Sequence, residues 1–267
     1  MLFSVLIAHY NHFDFFIDCY DSLMKQTYTN FEVVILDDFS TDGSFEKVSD
    51  YVKNDPRFRV FRNEKNEGVG FTKGKLIELA IGEICGFLDP DDVLTPDAIE
   101  VSVDNYSGET VATYSKFWVC DQSLNIIKKF SDSHQIKNND PLFLNIFFTV
   151  NHFFTFRKDI YLKTRKISPN YRIAEDQELY LKLYELGDFK FIKQPLLYYR
   201  LHNTGLSRDK NKTKQRYEAW NNVLKETLQR RNITKIYGEN VSEIDNLATF
   251  IHQKQNTILR KIKRKFL

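Results

Sequence analysis

Four short apolar runs, at residues 3–8, 31–36, 57–61 and 84–88, recur along the first third of the chain. Three are nearly continuous rather than alternating, the pattern of strands buried on both faces of a parallel sheet, and the remaining run, Arg57 to Phe61, is broken by arginines. Between the first two runs, Phe13, Phe16, Ile17, Tyr20, Leu23 and Met24 return every three or four positions, and between the last two, Val69, Leu76, Ile77, Leu79, Ala80 and Ile81 do the same. That spacing predicts amphipathic helices. The segment reads βαβαβαβ, the order of a doubly wound nucleotide-binding sheet.

Past residue 109 the pattern changes to strand-like Thr, Val, Tyr and Phe over 110–120, a helix over 141–148 and a strand near 153–156. A helix over 175–186 and strands over 189–192 and 196–202 follow, and two helices, about 208–231 and 241–264, close the chain. The expected organisation is one α/β domain over 1–207, with a nucleotide-binding half (1–108) and an acceptor-binding half (109–207), and a basic helical extension over 208–267.

Composition narrows the class. With 267 residues, 42% of them hydrophobic, the chain can bury a sizeable core. Its longest apolar runs fall far short of the roughly 20 residues that span a bilayer. No basic stretch precedes residues 2–8, so a secretory leader is not expected and a cytoplasmic location is. Cys19, Cys85 and Cys120 are far apart and form no C-x-x-C pair, which makes them reduced core residues rather than zinc or redox ligands. The formal charge of +2 hides an asymmetry: residues 208–267 carry 15 Lys/Arg against 6 Asp/Glu, leaving 23 against 30 in the rest. A basic tail on an acidic body suits surface docking better than a nucleic-acid groove. Within it, Ile258, Leu259, Ile262 and Phe266 share a helical face ringed by basic residues, so residues 258–267 are a candidate for peripheral docking on an anionic membrane.

In a doubly wound sheet, ligands bind beyond the carboxyl ends of the strands. That rule selects four loops: His9-Tyr10-Asn11, Asp37 to Gly43, Asn63 to Gly70, and Asp89 to Asp92. In the last, three carboxylates within four residues repel one another unless a cation sits between them, and oxygen donors with open positions suit Mg²⁺ or Mn²⁺ bridging to phosphate. In the second, Ser40 or Thr41 is suited to cap the following helix, leaving an Asp for the base or ribose of a nucleotide. No G-x-G-x-x-G follows the first strand and no G-x-x-x-x-G-K-[ST] occurs, which excludes the usual dinucleotide and P-loop sites.

These loops carry a resemblance. Ser4 to Asn11, Asp37-Asp38-Phe39-Ser40-Thr41-Asp42-Gly43-Ser44, Asn66-Glu67-Gly68-Val69 with Lys73, and Phe87-Leu88-Asp89-Pro90-Asp91-Asp92 resemble, in order and spacing, the motifs of the family-2 glycosyltransferases of the A-type fold. Glu175-Asp176 at a helix start and Tyr199-Arg200-Leu201-His202 to Ser207 resemble the family's later elements. The resemblance implies an A-type, Rossmann-like, mostly parallel sheet and an inverting transfer of one sugar from a nucleotide-diphosphate sugar, most often a UDP-sugar. The acceptor would be a saccharide or lipid-linked saccharide of a bacterial surface polysaccharide.

Carried over position by position, the resemblance implies that Asp38 and Lys73 touch the nucleobase, with Ala8, Tyr10, Asn11, Asn66, Gly68 and Pro90 around the nucleotide. It further implies that Asp89 meets the ribose or metal, that Asp91 and His202 hold Mn²⁺ or Mg²⁺, and that Asp176 is the catalytic base. Two departures stand out: Ala8-His9 replaces Pro-Thr, and Lys73 replaces an arginine, keeping the charge but losing the planar fork. Tyr10, Trp118 and Phe154 are candidates for stacking on sugar rings. Two alternatives compete, a sugar-nucleotide pyrophosphorylase, whose glycine-rich first loop is missing here, and a non-catalytic sugar-binding relative, against which Asp89, Asp91 and Asp176 stand together.

Overall fold

A computed structural model describes residues 1–203 and 213–256. The chain runs β1 (Phe3–His9), α1 (Phe13–Met24), β2 (Phe31–Asp37), α2 (Ser44–Val52), β3 (Phe58–Arg62), α3 (Val69–Leu79), β4 (Ile84–Phe87), β5 (Val93–Leu94) and α4 (Ala98–Asp104). It continues through β6 (Thr110–Cys120), β7 (Ile126–Lys129), β8 (Thr155–Arg157), α5 (Lys158–Tyr161), α6 (Glu175–Tyr184) and β9 (Asp188–Arg200). Last come α7 (Thr213–Arg230), the short hairpin β10 (Lys235–Ile236) and β11 (Glu239–Asn240), and α8 (Leu247–Gln255).

The main sheet has the order β3-β2-β1-β4-β8-β6-β9-β5, with β7 paired to β6. β1, β2, β3 and β4 are mutually parallel, as the βαβαβαβ reading predicts; beyond β4 the pairing is mixed, because β8 runs antiparallel to both β4 and β6 while β9 is parallel to β6. The chain steps outward from β1 through β2 to β3 and then returns to the other side of β1 as β4. That reversal opens a crevice at the carboxyl ends of β1 and β4.

Alternate residues of β1 feed two cores. Phe3, Val5 and Ile7 pack with α1, α2 and α4 on one face, and Leu6 packs with α3 and α6 on the other. Glu32, buried in the strand edge, accepts hydrogen bonds from Ser4 Oγ (2.6 Å), the Ile81 amide (2.6 Å) and Arg59 Nη1 (2.9 Å), tying β1, β2, β3 and the α3–β4 turn together. All three cysteines are free and buried, as their spacing predicts.

Three expected elements come out differently. Residues 141–148 form turns, not a helix: Asn145 and Phe148 adopt positive φ, and the Asn145 side chain bonds the Val150 backbone and Gln177. Their apolar pattern serves a third core, in which Leu144 and Ile146 meet Leu181 of α6 and Trp220, Val223 and Leu224 of α7. The two strands expected at 189–192 and 196–202 are one strand, β9, whose register against β6 jumps from Ser115↔Ile192 to Lys116↔Pro195. The bulge accommodates a proline that an unbroken ladder would reject. Of the two expected terminal helices, α7 and a much shorter α8 are seen, separated by the β10–β11 hairpin; the face formed by Ile258, Leu259, Ile262 and Phe266 lies outside the described residues.

Among the described residues no helix is long and apolar enough to cross a membrane.

Candidate active site

The loops at the carboxyl ends of β1 and β2 are built as one piece. Asn11 and His12 both take left-handed backbone angles, which turn the chain sharply off β1. The turn is held by the second loop: the Asn11 amide donates to Ser40 Oγ (2.7 Å), Asn11 Oδ1 accepts from the Thr41 amide (3.0 Å), and the His12 amide donates to Asp42 Oδ2 (3.0 Å). Asp42 also accepts from the Ser44 amide at 3.0 Å, and the N-cap of α2 is Gly43 rather than Ser40 or Thr41. Ser40 instead donates through both its amide and its hydroxyl to Asp37. His9 and Asp37, paired in register, are buried and joined at 3.1 Å. Burial works against the Asp37 charge, but the hydrogen bonds from His9 and Ser40 prevail and hold its carboxyl below the ordinary range. Asp37 is thus structural, and its neighbour faces the ligand loops.

Asp38 shapes the third loop. Its Oδ1 accepts from Asn63 Nδ2 (2.8 Å) and the Glu67 amide (2.9 Å), and its Oδ2 accepts from the Gly68 amide (2.9 Å). Asn66 Nδ2 returns to the Asp38 carbonyl at 3.2 Å. Gly68, at φ 91°, sits in a region closed to other residues and starts α3. Asp38 therefore moulds the Asn66–Gly68 turn into one wall of the crevice.

The acidic loop after β4 is anchored to the far end of β9. Arg200 is buried; its amide donates to Asp92 Oδ1 (2.9 Å), its Nε to the Asp91 carbonyl (2.8 Å), and its outer nitrogens to the Gln122 carbonyl (2.9 Å) and Asp18 Oδ2 (2.7 Å). Two residues on, His202 Nε2 lies 2.6 Å from Asp91 Oδ2, with the ring against Phe15. The three carboxylates crowd one another. Burial, helped by Asp91 and Asp89, pushes the Asp92 carboxyl well up, and burial likewise raises Asp89, with Asp91 adding to the shift and Lys73 opposing it. Among the described residues Asp92 Oδ2 has no hydrogen-bond partner.

The fourth wall comes from the start of α6. Ala174 takes the left-handed conformation immediately before the helix and presents Glu175 and Asp176 to the crevice. Lys73, on α3, reaches both, at 2.8 Å from Glu175 Oε1 and 2.5 Å from Asp176 Oδ1, with its ammonium also over the Phe87 ring. Burial works to lower the pKa of Lys73; Asp176, Glu175 and Asp89 outweigh burial and raise the pKa well above the ordinary value. Lys73 thus stays cationic, its charge spent on the α6 carboxylates.

These walls enclose a cleft of about 810 Å³. Every residue singled out from the sequence as a candidate ligand lines it: Ala8, Tyr10 and Asn11 from the first loop, Asp38, Asn66 and Gly68 from the second wall, Asp89, Pro90 and Asp91 from the acidic loop, and Lys73, Asp176 and His202. Of the suggested sugar-stacking residues, Tyr10 is exposed on the cleft, whereas Phe154 is buried against Tyr180 and Trp118 carries Lys129 over its ring on the β6–β7 hairpin. Phe154 is unavailable to a ligand. The lining also holds Glu175, Arg200, Arg172, Arg216 and the stacked pair His152 and Tyr199, none singled out as a ligand from sequence. Arg200 was within sight, in the same short motif as His202; Arg172 belongs to no motif and is placed only by the fold. A shallower hollow of about 430 Å³ beside α8, lined by Glu243, Asp245 and Phe250, shares no lining residue with the cleft.

Among the described residues no three His, Cys, Asp or Glu side chains converge as a closed metal site requires. The Asp91–His202 pair puts one oxygen and one nitrogen on the cleft, donors that would suit a divalent cation.

Comparison with known proteins places this architecture. The chain is similar to the chondroitin synthase of Escherichia coli, 29% identical over 249 residues, which cover 91% of this chain and 33% of the synthase. It thus spans about a third of the length of that relative. Among solved structures it resembles S. aureus TarS 1–349 in complex with UDP-GlcNAc, with a TM-score of 0.70, 19% identity and coverage of 98% of this chain and 78% of that one. It also resembles the mannosyltransferase PcManGT from Pyrobaculum calidifontis in complex with GDP-Man and Mn²⁺, with a TM-score of 0.59, 16% identity and coverage of 89% and 65%. Both likenesses speak to the fold, which is that of the A-type glycosyltransferases. The model of the family described as glycosyl transferase family 2 matches residues 4–165, more than half of the chain, with every loop from His9 to Asp92 inside it, and the chain therefore belongs to glycosyl transferase family 2.

Proposed function

We propose that this chain transfers a single sugar, with inversion, from a nucleotide-diphosphate sugar to a saccharide or lipid-linked saccharide in polysaccharide synthesis. The observation that carries this reading is the convergence on one cleft of the Asn66–Gly68 turn, the Asp91–His202 pair and the Asp176 carboxylate at a helix start. A chondroitin synthase among its relatives supports polysaccharide as the product class, and a UDP-sugar is the donor favoured by the family resemblance and by the UDP-GlcNAc complex of TarS.

Each wall has a task in this reading. The Asn66–Gly68 turn, fixed by Asp38, and Tyr10 and Asn11 hold the nucleotide. Asp91 and His202 hold Mg²⁺ or Mn²⁺, which when bound offsets the charge that develops on the departing diphosphate. Asp176 accepts the proton of the acceptor hydroxyl as its oxygen attacks the anomeric carbon from the face opposite the diphosphate. The new carbon–oxygen bond forms as the bond to the diphosphate breaks, and the configuration inverts. Lys73 engages Asp176 through Oδ1, and among the described residues Oδ2 makes no hydrogen bond, which leaves it for the acceptor. Arg200 keeps Asp91 in place by holding its carbonyl.

A panel of UDP-, GDP- and dTDP-sugars with Mn²⁺ or Mg²⁺, scored by release of the nucleoside diphosphate, tests the reading. Asp176→Asn is expected to lower kcat about 10²- to 10⁴-fold while donor affinity changes little. Asp91→Ala is expected to abolish the dependence of donor binding on metal. Absence of binding or turnover with every donor, metal present, would overturn it.

A further inference from the structure

Two of the cations that line the cleft are already committed, although the site must hold a diphosphate. Among the described residues five carboxylates line it, Asp38, Asp89, Asp91, Glu175 and Asp176. Lys73 is committed to Glu175 and Asp176, and Arg200 to Asp18 and to backbone carbonyls. Arg216 of α7 lines the cleft as well, but the wall built by Asp38, Asn66 and Gly68 contributes no cation of its own.

Arg172 fits that gap. It stands in the segment that leads into Glu175 and Asp176, is exposed, and lines the same cleft. Its guanidinium leans across to the nucleotide-facing turn, where Nη1 donates to Asn66 Oδ1 at 3.2 Å and Nη2 to the Asn66 carbonyl at 3.4 Å. Both acceptors are neutral and both bonds long. Among the described residues Arg172 pairs with no carboxylate, so an anion can take its fork without breaking an ion pair. The position is built for it: a Cβ on Gly68 would lie 3.0 Å from Arg172 Cγ and 3.2–3.3 Å from Nε and Cζ, so only glycine lets the side chain lie flat on the turn. The backbone beneath is seated just as closely, since a Cβ on Gly70 would meet the Tyr171 carbonyl at 2.2 Å.

We infer that Arg172 is a donor-binding residue, turning its planar fork from Asn66 to the diphosphate oxygens of the bound nucleotide. Two parallel charge-assisted hydrogen bonds to phosphate are stronger than two long bonds to amide oxygens, which gives the exchange its direction. Lys73 cannot do this from its buried ion pair with Glu175 and Asp176. The inference rests on the nucleotide-sugar reading above.

Titrations of the full chain with UDP, GDP and dTDP, each with Mg²⁺, and with the nucleoside of the tightest one as competitor, test it. Arg172→Ala is expected to weaken the nucleoside diphosphate about tenfold or more and the nucleoside less than about twofold. Arg172→Lys, which keeps the charge without the fork, is expected to fall between, and the wild-type advantage over Arg172→Ala is expected to shrink with added salt. Equal losses for nucleoside and nucleoside diphosphate would make Arg172 a base contact and overturn the inference, as would an Arg172→Ala variant that binds like wild type. A wild-type protein that binds none of the three nucleotides would overturn this inference and the donor reading together, whereas the two preceding outcomes leave the donor reading standing.

Discussion

At the residue scale, the carboxylates divide by what surrounds them rather than by their motifs. Asp38, Asp91 and Asp176 are near neighbours of other acids in sequence, and the fold gives each a separate function: Asp38 shapes a turn, Asp91 meets an imidazole, and Asp176 meets a lysine. The loops of Asp38 and Asp91 were legible because they follow strand ends, whereas Asp176, at a helix start, was marked only by the family resemblance. The identity of their partners was not legible, since the hydrogen bond from Lys73 to Asp176 spans 103 residues. Glu32, outside every motif, shows the structural use of the same chemistry. Burial works against its charge, but the Ile81 amide, Ser4 and Arg59 together hold its pKa below the ordinary value of 4.5. A depressed folded pKa stabilises the fold fully above the unfolded pKa, and that contribution fades as pH falls through the folded value. Glu32→Gln is therefore expected to cost about 1–3 kcal/mol at pH 7, with the gap to wild type narrowing below about pH 4. Urea unfolding across pH 3–7 measures it, and a gap that stayed constant would show that the charge contributes nothing.

At the element scale, α3 is the least typical helix and the most informative. Its apolar spacing predicts it from sequence, yet glycines at 70 and 74 weaken it intrinsically. The structure separates the two. At Gly70 an added Cβ would collide with the Tyr171 carbonyl at 2.2 Å and press the Ser168 carbonyl at 2.9 Å, whereas at Gly74 the nearest atom is 4.0 Å away. Gly70→Ala is expected to push the segment leading to Asp176 off α3, destabilising the chain by about 1–3 kcal/mol and lowering turnover. Gly74→Ala is expected to be neutral or to stabilise by up to about 1 kcal/mol through helix propensity alone. Thermal unfolding of the two variants side by side decides it; equal effects would mean that the contact at Gly70 is not a constraint. Such contacts have no sequence signature. For the same reason the turns over 141–148 read as a helix: their apolar residues face two different partners, and the positive φ at Asn145 shows only in the fold.

At the scale of the whole molecule, the terminal helices are structurally continuous with the site. α6 carries Glu175 and Asp176 at its start, and its faces contribute Leu179 and Leu183 to one core and Leu181 to the core shared with α7 and α8. Arg231, just past α7, donates to the Phe143 carbonyl (2.7 Å) and the Pro141 carbonyl (3.0 Å) and pairs with Glu185 at 3.0 Å, fastening the end of α7 to the 141–143 turn and to the end of α6. A basic extension read from composition as a surface appendage thus has a packed inner side, invisible to a count of charges. Leu224 is wholly buried on α7 within this shared core. Leu224→Ala is expected to cost about 2–5 kcal/mol. If α7 and α8 unfold together with the α/β sheet, calorimetry of the variant shows one transition displaced downward by roughly 5–15 °C, and sugar transfer is lost at that same lower temperature. A variant whose scan splits, with only a minor transition moving and transfer surviving to the wild-type midpoint, would mean that the helices ride on the domain without supporting it. The direct contact of Leu181 with the α7 core favours the single transition, because loosening that core loosens the helix on which Asp176 sits.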